Sequence, residues 1–251
     1  MTDVQGTTVD IPAPDGTADA YFALPGDGGV RPAVLLYMDA FGVRPQVRAM
    51  ADRIAGAGYA VLAPNVFYRH GRAPVVELPG MITNGDRDAL FTKIFPMMGD
   101  LTAKAVAADA GAYLSWLRDR PETDGRPVGT VGYCMGARLA LITAGSHPAK
   151  VAAAAGFHGA GLATEDPDSP HRLADGITGE LYFGHADGDP ANPPEQQERL
   201  TRELATAGVR HTAEVYTGAE HGFTMADTEA YAPEATERHW KALLDLFARN
   251  L

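Results

Sequence analysis

Val131-Gly132-Tyr133-Cys134-Met135-Gly136-Ala137 sets a cysteine between two glycines at the end of an apolar run. Val128 to Val131 has strand character, and Ala137 to about Ala144 is a run of mostly small residues with helical character. A Gly-x-Cys-x-Gly run in that context reads as a nucleophile elbow, a strained strand-to-helix turn that projects one reactive side chain. Glycine is needed two places before and two places after, because a Cβ there would meet the neighbouring strand and helix. The Met135 N–H then faces the place where an oxyanion forms, as one of two donors worth about 3 kcal/mol each. A cysteine reacts as its thiolate, so the surrounding groups must favour ionisation.

Working outward, short apolar runs alternate with amphipathic ones from about residue 32 to the end, the pattern of βαβ units on a parallel sheet. Thr7 to Ile11 and Ala18 to Leu24 flank a turn at Pro12–Gly16 with no helix between them, so they are expected to pair antiparallel at one edge. Further strands are expected at Ala33–Met38, Tyr59–Ala63, Val151–Phe157, Ile177–Gly184 and Thr212–Tyr216. Helices are expected at Gln46–Ala57, Asp100–Leu117, Glu195–Ala207 and Glu229–Asn250. Residues 65–99 break the rhythm; the spacing of Leu90, Phe91, Ile94 and Met97 predicts a short helix there, in a pocket wall or small lid. The expectation is one α/β domain over 1–251, its mostly parallel sheet flanked by helices on both faces.

The chain has 251 residues, 45% of them hydrophobic, enough for a full core, and a net charge of −11. That acidity disfavours nucleic acid and anionic membrane as partners. The single cysteine rules out an internal disulfide and fits a cytoplasmic protein. Met1 to Gln5 carries no basic or apolar signal segment, and no apolar run reaches the roughly 18 residues of a membrane span.

A nucleophile at an elbow needs a histidine base and an acid to orient it, met in the order nucleophile, acid, histidine. His221, in Glu220-His221-Gly222-Phe223 after a strand, is the expected base. His158, at the end of a core strand, is its rival and is expected to line the pocket. The acid comes from His185-Ala186-Asp187-Gly188-Asp189. Asp187 is preferred because it sits just past the strand end, with Asp189 as the alternative. The second oxyanion donor is expected from the loop after the first buried strand, at Ala40 N–H. Asp39 beside it is either a solvated turn residue or a carboxylate able to pair with the thiol.

These residues resemble the dienelactone hydrolase family. The resemblance runs from about Ala33 to Phe247 and rests on Asp39-Ala40-Phe41-Gly42, Gly58-Tyr59-Ala60-Val61-Leu62-Ala63-Pro64-Asn65, Gly132-Tyr133-Cys134-Met135-Gly136 and Glu220-His221-Gly222-Phe223. It implies an α/β-hydrolase fold, a Cys-Asp-His triad, no cofactor and no metal, and opening of an enol lactone through a cysteinyl acyl-enzyme. A small-molecule ester or lactone would be the partner, in a monomer or homodimer. Well-known members carry a glutamate at the place of Asp39, pairing with the resting thiol. They also hold the substrate carboxylate with arginines, one of them four residues after the histidine, where this chain has Met225. Arg69, Arg72 and Arg87 are the candidates to replace it. Two other readings share the residues: a biosynthetic thioesterase or cyclase, and a weakly catalytic thiol-sensing binding protein.

Overall fold

Ten residues of strand on each side of a two-residue turn open the chain: β1 (Val4–Ala13) and β2 (Gly16–Pro25) pair antiparallel from Val4↔Pro25 to Ala13↔Gly16. The computed structural model describes residues 3–251; Met1 and Thr2, where the expected leaderless start begins, lie outside the described residues. After the hairpin come β3 (Ala33–Tyr37), β4 (Ala60–Pro64), β5 (Val128–Tyr133), β6 (Val151–Phe157), β7 (Glu180–Ala186) and β8 (His211–Tyr216). They form one eight-stranded sheet in the order β1-β2-β4-β3-β5-β6-β7-β8. Strands β3 to β8 run parallel, and β2 joins them antiparallel against β4. The expected edge hairpin is therefore present, longer than its apolar core. The sequence of β3, β4 and β5 does not alternate because every residue in them is buried, as a sheet covered on both faces requires.

The helices are α1 (Pro45–Ala55), α2 (Arg87–Gly99), α3 (Ala103–Arg118), α4 (Met135–Ser146), α5 (Pro194–Thr206) and α6 (Pro233–Asn250). Three of them begin on proline, whose missing N–H costs nothing at the first helical position. That rule moves the start of α6 four residues past the expected Glu229. The start of α3 follows Thr102, whose hydroxyl accepts from Ala105 N at 3.2 Å. Strand β7 starts at Glu180 rather than Ile177, and a 3₁₀ turn at Pro170–Gly176 precedes it.

Residue parity on β5 places the helices. A Cβ on Gly129 would come within 2.7 Å of Phe247 on α6, whereas one on Gly132 would strike α4. Positions 129 and 132 point to opposite faces of a strand, so α4 and α6 cover opposite faces of the sheet. Helix α2 lies in the irregular segment and buries Leu90, Ile94 and Met97, much as the spacing predicts, while leaving Phe95 exposed. Among the described residues no helix is long and apolar enough to cross a membrane.

Candidate active site

Strand β5 and helix α4 meet at Cys134, which takes φ +53° and ψ −117°. A non-glycine residue in that region costs of order 1–3 kcal/mol and persists only where its surroundings enforce it. Here the enforcement is visible. A Cβ on Gly132 would lie 1.9 Å from Gly136 O, and one on Gly136 would lie 2.4 Å from Met38 O. Both glycines are thus forced by backbone approaching backbone. Cys134 N donates to Phe157 O at 3.1 Å, and Cys134 O accepts from Ala137 N and Ala160 N.

Two loops bring partners to this turn. His221, after β8, lines the same small cavity as Cys134, and the two side chains interact electrostatically. His221 Nδ1 lies 2.6 Å from Asp189 Oδ2, on a carboxylate almost wholly buried. Burial opposes the imidazolium, but the Cys134 thiolate and Asp189 outweigh it and push His221 up to about 10. Cys134 and Asp189 thus hold the imidazole toward its protonated form.

The preferred acid, Asp187, is not at the histidine. It is exposed, and its Oδ2 accepts from Gly218 N at 2.9 Å while its N–H donates to Ala219 O. It pins the loop after β7 to the loop after β8. The reason is Gly188, whose φ of +59° reverses the chain and turns the next carboxylate inward. Asp189 Oδ1 also accepts from Ala191 N at 2.8 Å, which fixes its orientation.

Asp39 does not pair with the thiol either. The Arg44 guanidinium takes both of its oxygens, Nη1 to Oδ1 at 2.6 Å and Nη2 to Oδ2 at 3.0 Å, with all these groups buried. Asp39 Oδ1 further accepts from Phe41 N at 3.0 Å. Ala40 lies between them, buried, and no acceptor among the described residues takes its N–H. Met135 opens α4, where a first-turn N–H has no intrahelical acceptor. Nothing in the sequence marked Arg44; an arginine ahead of a helix-starting proline looks like any surface residue.

The cavity at Cys134 has a volume of only about 20 Å³, bounded by Phe41, Arg87, Phe91, His158, Met225 and their neighbours. That is room for about one water. A larger concavity of about 550 Å³, between Arg44 and Met81, includes neither Cys134 nor His221. His158 lines the small cavity as expected, at φ +37°, with its ring centroid 5.4 Å from that of His221. Its Nε2 is bonded to Thr224 Oγ1 at 2.8 Å, and burial holds it well below the usual histidine range, so it stays neutral. Of the three candidate arginines, Arg69 is taken by Asp109 and Asp15, and Arg72 by Asp10. Arg87 is at the cavity, stacked over Phe91 at 5.9 Å, and no carboxylate among the described residues pairs with it. No group of three or more His, Cys, Asp or Glu among the described residues is placed to hold a metal ion.

The chain as a whole is similar to known proteins. A carboxymethylenebutenolidase of Rhodococcus opacus is 29% identical over 235 residues, 92% of this chain and 86% of its own length. A dienelactone hydrolase-like promiscuous phosphotriesterase from metagenomic libraries superposes with a TM-score of 0.81 at 26% identity, covering 98% of both chains. A Klebsiella pneumoniae protein provisionally named a dienelactone hydrolase gives a TM-score of 0.85 over 98% of this chain and 99% of its own, and at 23% identity it speaks for the α/β-hydrolase fold alone. The model of the dienelactone hydrolase family matches residues 18–251, nearly the whole described chain, and the chain belongs to that family of hydrolases.

Proposed function

We propose that the protein hydrolyses a small, carboxylate-bearing activated ester or enol lactone through an acyl-enzyme on Cys134. The observation that carries this is Cys134 and His221 lining one small cavity, with His221 bonded to Asp189, at an elbow flanked by two amide donors that meet no acceptor among the described residues. The thiolate attacks the carbonyl carbon, and the oxyanion is met by the N–H groups of Ala40 and Met135. The tetrahedral intermediate collapses by breaking the bond to the enol oxygen, which takes its proton from the His221 imidazolium. Neutral His221 then removes a proton from water as the water attacks the thioester. Breaking the C–S bond returns the thiolate, the imidazolium and the acid product. Asp189 holds the imidazole with Nε2 toward the sulfur and stabilises its positive form, so it need not itself be protonated.

Arg87 is the group we assign to a substrate carboxylate, because it is the cavity cation left without a carboxylate. With Met225 at the cavity and Arg44 committed to Asp39, no second unpaired arginine or lysine among the described residues lines it, which favours a monoanionic substrate. A cavity of about 20 Å³ admits no ester, so α2, which carries Arg87 and Phe91, moves outward to admit one. The test is Cys134→Ala against the parent enzyme, with p-nitrophenyl acetate and an enol-lactone acid as substrates. The expected loss is about 10⁴-fold or more in kcat, and turnover within about tenfold of the parent would remove the mechanism.

A further inference from the structure

The proposed reaction gives no task to the most thoroughly bonded charge near the site. Arg44 stands at the N-cap of α1 with Pro45 following, and its side chain is 4% exposed. One edge of the guanidinium forks onto Asp39. The other forks onto Asp227, Nε to Oδ2 at 2.6 Å and Nη2 to Oδ1 at 3.0 Å. Nη1 also reaches Gly42 O at 3.3 Å. A guanidinium has five N–H bonds, and all five are used. None is left for a substrate.

Those bonds tie three segments together. Asp39 brackets Ala40 from one side and holds Phe41 N from the other. Asp227 lies between Met225 and Thr228, which both line the Cys134 cavity and follow His221 in the chain. Asp227 O accepts from Ile82 N at 2.8 Å, which extends the tie to the chain leading into α2. The Asp39 carboxylate borders the same cavity as Cys134. Left unpaired there, it would raise the free energy of a thiolate.

Building on the reading of Cys134 as nucleophile, we infer that Arg44 is a positioning residue with two tasks. It holds the Ala40 N–H in place for the oxyanion, and it cancels the Asp39 charge so that Cys134 stays ionised. Asp39 is thereby an anchor for the loop and not a base for the thiol.

Three variants test this: Arg44→Met, Arg44→Lys, and Arg44→Met combined with Asp39→Asn. The readouts are the pH midpoint of the thiolate ultraviolet band, and kcat and KM for p-nitrophenyl acetate. Arg44→Met should raise the midpoint by about one unit or more. It should lower kcat about 100-fold with KM within about threefold, the signature of a misplaced oxyanion donor. Adding Asp39→Asn should return the midpoint to the parent value and leave kcat low. Arg44→Lys keeps the charge but cannot fork, so the midpoint should hold while kcat falls about tenfold. An unmoved midpoint in Arg44→Met, a midpoint that Asp39→Asn does not restore, or parent kcat in Arg44→Lys would each overturn the inference. Should Arg44→Met fail to fold, the split between midpoint and kcat in Arg44→Lys decides alone. The titration needs no substrate. A parent enzyme with an ordinary thiol midpoint and no hydrolysis would defeat the function itself and leave the Arg44 geometry aside.

Discussion

The elbow at 132–136 and the loop at 186–192 both end a buried parallel strand, and both deliver one side chain to the same point. They differ in what fixes them. At the elbow, backbone meets backbone within 2.4 Å of any added Cβ, so the residue types themselves encode the geometry. In the acid loop, Gly188 has nothing within 4 Å of an added Cβ, and the direction of each aspartate depends on a turn and on distant amides. Two aspartates two residues apart exchange roles through that one reversal. Steric necessity can be read from a sequence; the direction in which a loop carboxylate points cannot.

The sharpest way to break this comparison is to exchange the acids. Asp189→Asn should cost about 10⁴-fold in kcat, as in a serine triad whose histidine is left in the wrong tautomer. Asp187→Asn should stay within about threefold by the same scale, since it only loses a bond to Gly218 N. The reverse result in steady-state kinetics would return the triad to Asp187. The glycines give the next contrast. Gly132→Ala drives a methyl into Gly136 O and should yield no folded protein by circular dichroism. Gly188→Ala places a methyl in open space at φ +59°, at a cost of about 1–2 kcal/mol. The corresponding fall in Tm is about 2–8 °C by calorimetry.

Two further outcomes concern the cavity. Arg87→Gln should raise KM for a carboxylate-bearing lactone about tenfold or more, while KM for a neutral ester hardly changes. Equal effects on both would take Arg87 off the carboxylate. Because Cys134 and Asp189 raise His221 to about 10, the imidazolium half of the proposed thiolate–imidazolium ion pair persists through neutral pH and is lost as pH rises past that value. Iodoacetamide should therefore alkylate Cys134 rapidly even at about pH 6, where an ordinary thiol with a pKa near 8.5 is almost inert. A rate matching free cysteine would contradict the ion pair.

Much of the fold was legible because its causes are local. The unbroken apolar runs of β3 and β4 announce strands covered on both faces, and the 3.6-residue spacing in 90–97 announces α2. Helix starts were misplaced where proline supplies the first turn: one residue late at Pro45 and Pro194, four residues early at Pro233. At the site, Cys134 and His221 sit together because an elbow and a strand-end loop bring them there. Arg44 was invisible because its partners, Asp39 and Asp227, are linked by packing between distant segments and by no pattern in the chain. The Asp39 carboxylate, open to a thiol-pairing role in the sequence, is closed to it for the same reason.

In the proposed mechanism the scissile acyl group spends time on the sulfur of Cys134. Rapid acid quench during turnover of p-nitrophenyl acetate, followed by peptide mass analysis, tests it directly. The account predicts an acetyl adduct on the peptide holding Cys134, formed in a burst before steady state and larger in Asp189→Asn, where deacylation slows. Steady turnover by the parent enzyme with no adduct on that peptide, or with an adduct on another residue, would contradict it.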